Sequence, residues 1–157
     1  MLSKIVSGGQ TGVDRGALDA ALEAGFPCGG WCPMGRKAED GPIPDRYPLT
    51  ELPGSDYLQR TRQNVVDSDG TLVVCFGEPS GGTLETIRFA RRLGKPVLVI
   101  DGAQTGAPAA GRMAADFVGA NSIAVLNVAG PRESGRPGAR AYAQQVVACL
   151  IRQIQPG

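Results

Sequence analysis

The chain contains no histidine in 157 residues. That absence removes the side chain best suited to general-base work near neutral pH, the Ser-His and Cys-His nucleophile pairs, and the commonest zinc ligand. An excess of one charge is lacking as well. With 16 Lys+Arg against 15 Asp+Glu the net charge is +1, so no basic field draws the chain to nucleic acid. No apolar run approaches the roughly 20 residues that span a bilayer, and the opening MLSKIVSGG carries no hydrophobic stretch with a cleavage site. A cytoplasmic protein is expected, with neither a nucleic-acid nor a membrane partner. Four cysteines in a chain this long do not make a disulfide scaffold, and Cys75 and Cys149 fall within apolar patterns, so reduced thiols are expected. Cys28 and Cys32, in CGGWC, have no second Cys or His pair to complete a four-ligand zinc site. No metal site is expected. Trp31 between them is either a stacking platform or a half-buried structural aromatic.

Glycine, by contrast, is plentiful at 23 residues, and four of them fall in the ten-residue stretch SGGQTGVDRG from Ser7 to Gly16. Glycine loses more backbone entropy on folding than any other residue, so this stretch requires a reason. The surrounding pattern supplies its setting. SKIVSG is a short strand and DRGALDAALEAG a helix stopped at Gly25, with Leu18 and Leu22 at helical spacing. From Phe26 to Pro53 the chain is irregular and rich in Gly and Pro, with room for one short strand near PCGGW. DYLQRTRQNVVDSD is a predicted helix, GTLVVCFG a buried strand, GGTLETIRFARRLG a helix and KPVLVID a second buried strand. A helix near PAAGRMAADFVG, a strand SIAVLNVAG, a turn PRESGRPG and a final amphipathic helix ARAYAQQVVACLIRQI complete the pattern.

Apolar strands alternating with helices imply an α/β domain, Rossmann-like and doubly wound, with a mainly parallel sheet, in a single domain over residues 1–157. Ligands of such sheets bind at the carboxyl ends of the strands, where strand order reverses. Two glycine-rich turns follow strands here. One runs through Gly8, Gly9, Gln10, Thr11 and Gly12, the other through Ser80, Gly81, Gly82 and Thr83. If their strands are neighbours, both loops face one cavity. Bare backbone N–H groups and a following helix N-terminus hold a phosphate without lysine, whereas a tight strand-to-helix turn is the alternative account of each cluster. Neither GxGxxG nor GxxxxGK[ST] occurs, which weighs against ordinary dinucleotide and P-loop binding.

Polar neighbours extend the candidate site. Gln10 and Thr11 offer donors, Asp14 is read as a helix cap, and Arg15 lies on the first turn of that helix. Arg36, Lys37, Glu39, Asp40 and Arg46 crowd around GPIPDRYP, a turn that could bring cations over an anion or could be a solvated loop. In RTRQN, Arg60 and Asn64 share a helix face, with Arg62 beside them. One of these arginines is expected to serve the site.

Five segments, SGGQTGVDRGALDAAL, GWCPMGRKAEDGPIPDRYPL, RTRQNVVDSDGTL, GGTLETIRFA and LNVAGPRESG, together resemble the molybdenum-cofactor carrier family over nearly the whole chain. That family is grouped with Rossmann-like nucleotide binders that include the cytokinin phosphoribohydrolases, once called lysine decarboxylases. The resemblance implies a carrier or store for molybdopterin-type cofactor, a phosphorylated pterin, held as cargo through both loops. It implies molybdoenzymes or cofactor-biosynthesis proteins as partners, and a homo-oligomer is expected, the stripe Val146, Val147, Leu150, Ile151 and Ile154 being either core or interface. The alternative is a nucleotide-binding enzyme that hydrolyses an N-glycosidic bond of a nucleoside monophosphate. In the hydrolases the second loop resembles PGGxGTxxE. Here the loop is one residue shorter, Thr86 stands three places after Thr83, and Glu85 comes one place early. One residue turns a helical side chain by about 100°, so Glu85 should point elsewhere, and no catalytic residue is assigned.

Overall fold

The computed structural model describes residues 1–155. Its centre is a five-stranded sheet in the order β2-β1-β9-β7-β8, every neighbouring pair parallel. The strands are β1 (Lys4–Val6), β2 (Cys28–Gly29), β7 (Gly70–Cys75), β8 (Val97–Asp101) and β9 (Val125–Ala129). Because all point one way, the loops that follow them gather at one carboxyl edge. Chain order reverses there. After β1 the chain adds β2 on one side, crosses to build β7 and β8, and returns to insert β9 between β1 and β7. The two strands that precede the glycine loops are therefore not neighbours.

Both faces of the sheet are covered, as parallel strands require. Ile5, Leu72, Val74, Leu126 and Val128 meet α1 (Val13–Glu23), α4 (Ala107–Ala120) and α5 (Ala139–Ile154) in the larger core. On α5, Val146, Val147, Leu150 and Ile151 are buried in this core, and Ile154 packs against it. The stripe is thereby core within one chain. The alternate strand positions, among them Thr71, Val73 and Asn127, turn to the side of α2 (Tyr57–Val66) and α3 (Gly81–Arg92). Helix α2 starts where it does because Asp56 and Gln59 form a capping box, the Asp56 carboxylate accepting from Gln59 N at 3.0 Å and the Gln59 carboxamide from Asp56 N at 2.9 Å.

The irregular segment is more ordered than its composition predicts. β3 (Trp31–Pro33) pairs in parallel with β6 (Thr50–Leu52), and β4 (Lys37–Ala38) pairs antiparallel with β5 (Gly41–Pro42). Cys32, Ile43, Tyr47 and Leu49 close a second small core on Leu18 of α1. Among the described residues no helix is long and apolar enough to cross a membrane.

Candidate functional site

A cleft of about 420 Å³ opens at the carboxyl edge of β1, β9 and β7. Gly8, Gln10 and Asp14 form one wall and Gly82, Thr83 and Thr86 the other, with the end of β9 from Asn127 to Pro131 between them. Neighbouring strands would have brought both loops to one cavity, and β1 and β7 are not neighbours. The cavity is shared even so, because the cleft spans the inserted strand. Tyr57, Leu58, Arg60, Thr61 and Asn64 of α2 form its lid side, and Arg132 and Gly135 reach it from the loop after β9.

The first glycine loop is packed closely by the protein itself. A Cβ on Gly8 would fall on the guanidinium of Arg60. On Gly9, at φ +81°, it would meet Leu49 and Ile43 of the small core, and on Gly12, also at φ +81°, the backbone of Pro131, Arg132 and Glu133. The loop is packed from outside by its own protein. Arg15 is buried behind it, Nε donating to Gly9 O at 3.0 Å and the guanidinium gripping both carboxylate oxygens of Asp40, one at 2.8 Å. That grip holds the Asp40 carboxyl below the usual carboxylate range. The Thr11 hydroxyl donates to the Glu39 carboxylate and accepts from Glu133 N at 3.1 Å. Glu39 also takes the Ser134 hydroxyl and the Ser134 N–H. Hydrogen bonds from Ser134 and Thr11 therefore keep the Glu39 carboxyl low.

Asp14 is not the cap the sequence predicted. Gly12 holds the N-cap position without a side-chain bond, and Asp14 Oδ2 instead accepts from Gln10 N at 3.3 Å and Arg60 Nη1 at 3.0 Å. Both partners of this pair are about nine-tenths buried. Burial pushes the Asp14 carboxyl up, against the pull of Arg60.

The second loop is open. A Cβ on Gly81 or Gly82 would meet nothing within 4 Å, and Ser80, the N-cap of α3, makes no side-chain cap bond. Gly82 and Thr83 line the cleft, while Ser80 lines an adjoining hollow with Thr83, Pro131, Gly135 and Arg136. Thr86 faces the cleft with its hydroxyl bonded to Gly82 O at 3.0 Å, whereas Glu85 is paired with Arg88 at 3.3 Å and lies off the cleft wall.

Of the predicted cations only Arg60 lines the cleft. Arg36 is consumed by its own loop, donating to the carbonyls of Ile43, Leu49, Pro44 and Tyr47 at 2.8–3.2 Å. Arg46 lies over the Tyr47 ring at 4.6 Å and Arg62 over Phe89 at 5.4 Å. Lys37 is exposed on β4, away from the cleft. Asn64 does line the cleft and also clamps Trp31, accepting from its N–H at 2.8 Å and donating to its carbonyl at 3.0 Å. Trp31 itself is on β3 with its indole on Asp67 at 2.7 Å, off the cleft wall. Cys32 is fully buried in the small core, and burial raises the pKa of both Cys28 and Cys32, which keeps them thiols. Among the described residues no His, Cys, Asp and Glu cluster could hold a metal.

A profile of the family described as "Circularly permutated YpsA SLOG family" matches residues 5–151. The chain belongs to this family. This SLOG-family chain is also similar to a solved structure from Syntrophus aciditrophicus SB, named "Putative molybdenum carrier protein", with 42% identity over 96% of this chain and 95% of that one and a TM-score of 0.92. No curated protein matches the chain. Sequence reasoning missed several cleft residues of this family member: Tyr57, Leu58, Thr61, Asn127 and Arg132. Two signals were available. Asn127 is a polar residue inside the apolar strand VLNVA, and PRESG follows the carboxyl end of that strand, the position where ligands of such sheets bind.

Proposed function

We propose that the chain binds and carries a molybdopterin-type cofactor, a phosphorylated pterin, as cargo in the carboxyl-edge cleft. One observation carries the reading: a single cleft lies between the first glycine loop and the open N-terminus of α3 at the point where strand order reverses. Its volume, about 420 Å³, is in the range of small-molecule sites. The first N–H groups of a helix have no intrahelical partner, and those of α3 meet no side-chain cap, so a terminal phosphate fits there with Arg132 on the facing lip. Tyr57 and Leu58 supply an apolar surface for a ring. The name of the 42%-identical structure, a molybdenum carrier, supports a molybdenum-related cargo.

Carriage is favoured over hydrolysis of a nucleoside monophosphate. Thr86 stands on the cleft wall, and its hydroxyl has no acid-base capacity near neutral pH, while Glu85 is engaged with Arg88. Asp14, the one carboxylate among the residues that line the cleft, is engaged by Arg60 at 3.0 Å and by the Gln10 N–H at 3.3 Å.

The test is extraction of small molecules from protein purified out of cells that make the cofactor, followed by mass spectrometry. A phosphorylated pterin in near-equal amount to protein is expected. Protein that releases no pterin, and takes up none when titrated with pterin-6-ylmethyl phosphate, would sink the carrier reading. Release of free base from nucleoside monophosphates, lost in Glu85→Gln, would put the hydrolase in its place.

A further inference from the structure

Two buried side-chain nitrogens lack a hydrogen-bond partner among the described residues, Gln10 Nε2 and Arg60 Nε, and both belong to residues that line the cleft. Gln10 is 6% exposed and Arg60 8%. A buried donor left without an acceptor is destabilising, so such groups are rare unless a bound partner completes them. The orientation of the Gln10 amide is settled by its other end. Oε1 accepts from Thr11 N at 3.1 Å and Glu39 N at 2.8 Å, so the free atom is the NH₂. Asp14 Oδ2 ties the two residues together, taking one bond from the Gln10 backbone and one from Arg60. Two unpaired donors thus belong to cleft-lining residues that meet at one carboxylate.

This arrangement is poorly matched to a phosphate. Asp14 already balances Arg60, and a second anion pressed against a buried carboxylate would be repelled. A neutral edge that presents a carbonyl oxygen beside N–H groups fits better. We infer that Gln10, Arg60 and Asp14 form a recognition floor for a 2-amino-4-oxopyrimidine edge, the edge common to pterins and guanine, with the ring seated inward and the phosphate outward at the start of α3. The ligand's carbonyl accepts from the free N–H groups of Gln10 and Arg60, and its ring N–H and amino group face Asp14. The inference rests on the proposed carrier function and adds to it which end of the ligand enters first.

The oxo group is the discriminating atom. Calorimetric titration of the full chain compares pterin-6-ylmethyl phosphate with its 2,4-diamino counterpart, in which the carbonyl acceptor becomes an amino donor and the adjacent ring N–H donor becomes an acceptor, so both sets of contacts to the Gln10, Arg60 and Asp14 groups are reversed. The oxo compound should bind at least about tenfold more tightly, the amount expected for a hydrogen bond to a buried or charged donor. In Gln10→Glu, which keeps the Oε1 bonds to Thr11 and Glu39 and replaces the NH₂ with an acceptor, the ratio should fall to one or below. Arg60→Lys should narrow it while keeping a cation beside Asp14. Because both ligands share the phosphate and the remaining ring system, a general loss of stability weakens them equally and leaves the ratio intact. Equal binding of the two compounds to the unaltered chain overturns the recognition floor and leaves the carrier reading standing, as does an unchanged ratio in Gln10→Glu. Failure of both compounds to bind overturns the two together.

Discussion

The two glycine loops read alike in the sequence and are opposite in the structure. In the first, the spaces beside Gly8, Gly9 and Gly12 are taken by Arg60, by Ile43 and Leu49, and by the backbone after β9. In the second, the spaces beside Gly81 and Gly82 are open. The protein packs against one loop, whereas the other has open space beside it, with Gly81 at φ +53° and Gly82 on the cleft wall. Glycine clusters at strand ends therefore carry two kinds of demand. Only the neighbours reveal which demand applies.

The sharpest way to break this comparison is Gly9→Val. A branched side chain at φ +81°, driven into Ile43 and Leu49, combines backbone strain with overpacking and should cost about 3–5 kcal/mol. Urea unfolding measures it. A Gly9→Val protein as stable as the parent would show that the first loop is as free as the second.

A smaller effect is expected from the carboxylate that fastens the first loop. Hydrogen bonds from Ser134 and Thr11 depress the folded-state pKa of Glu39, so its contribution is fully present above the unfolded-state value and is lost as pH falls through the folded value. Glu39→Gln should flatten that part of the acid unfolding profile and be worth about 1 kcal/mol at pH 7, since the residue lies at the surface. Parallel acid titrations of parent and variant, followed by circular dichroism, give the comparison. Identical profiles would remove Glu39 from the account of the loop.

The smallest change in stability belongs to Gly82→Val, within about 1 kcal/mol, since nothing lies within 4 Å of the added carbon and the backbone there is helical. Its effect on binding should be large. The valine side chain would stand over the α3 N–H groups, and titration with pterin-6-ylmethyl phosphate should show affinity lost while the melting curve is kept. Retained affinity would move the phosphate away from α3.

The sequence carried much of the fold in its local patterns. The helix from Ala139 to Ile154 and the strand from Gly70 to Cys75 lie where periodicity and apolar runs place them. Less of the site was legible. Arg36 resembled a ligand cation because it stands among prolines and charges, yet four carbonyls of its own loop occupy it. Arg132 resembled part of a turn and lines the cleft. A guanidinium shows its charge in the sequence but not its partner.

By itself the sequence determined the alternation of strand and helix, the absence of histidine chemistry, and the presence of two loops able to leave backbone bare. These are local properties, set by side-chain spacing and residue type within a few positions. Tertiary structure alone decided that β9 separates β1 from β7, that Arg60 lies against Gly8 of the first loop, and that the cleft-lining Gln10 and Arg60 each keep a buried donor without a partner. Strand order in a parallel sheet is settled by long crossovers, and a buried donor's partner comes from distant segments of chain. Neither leaves a mark in neighbouring residues.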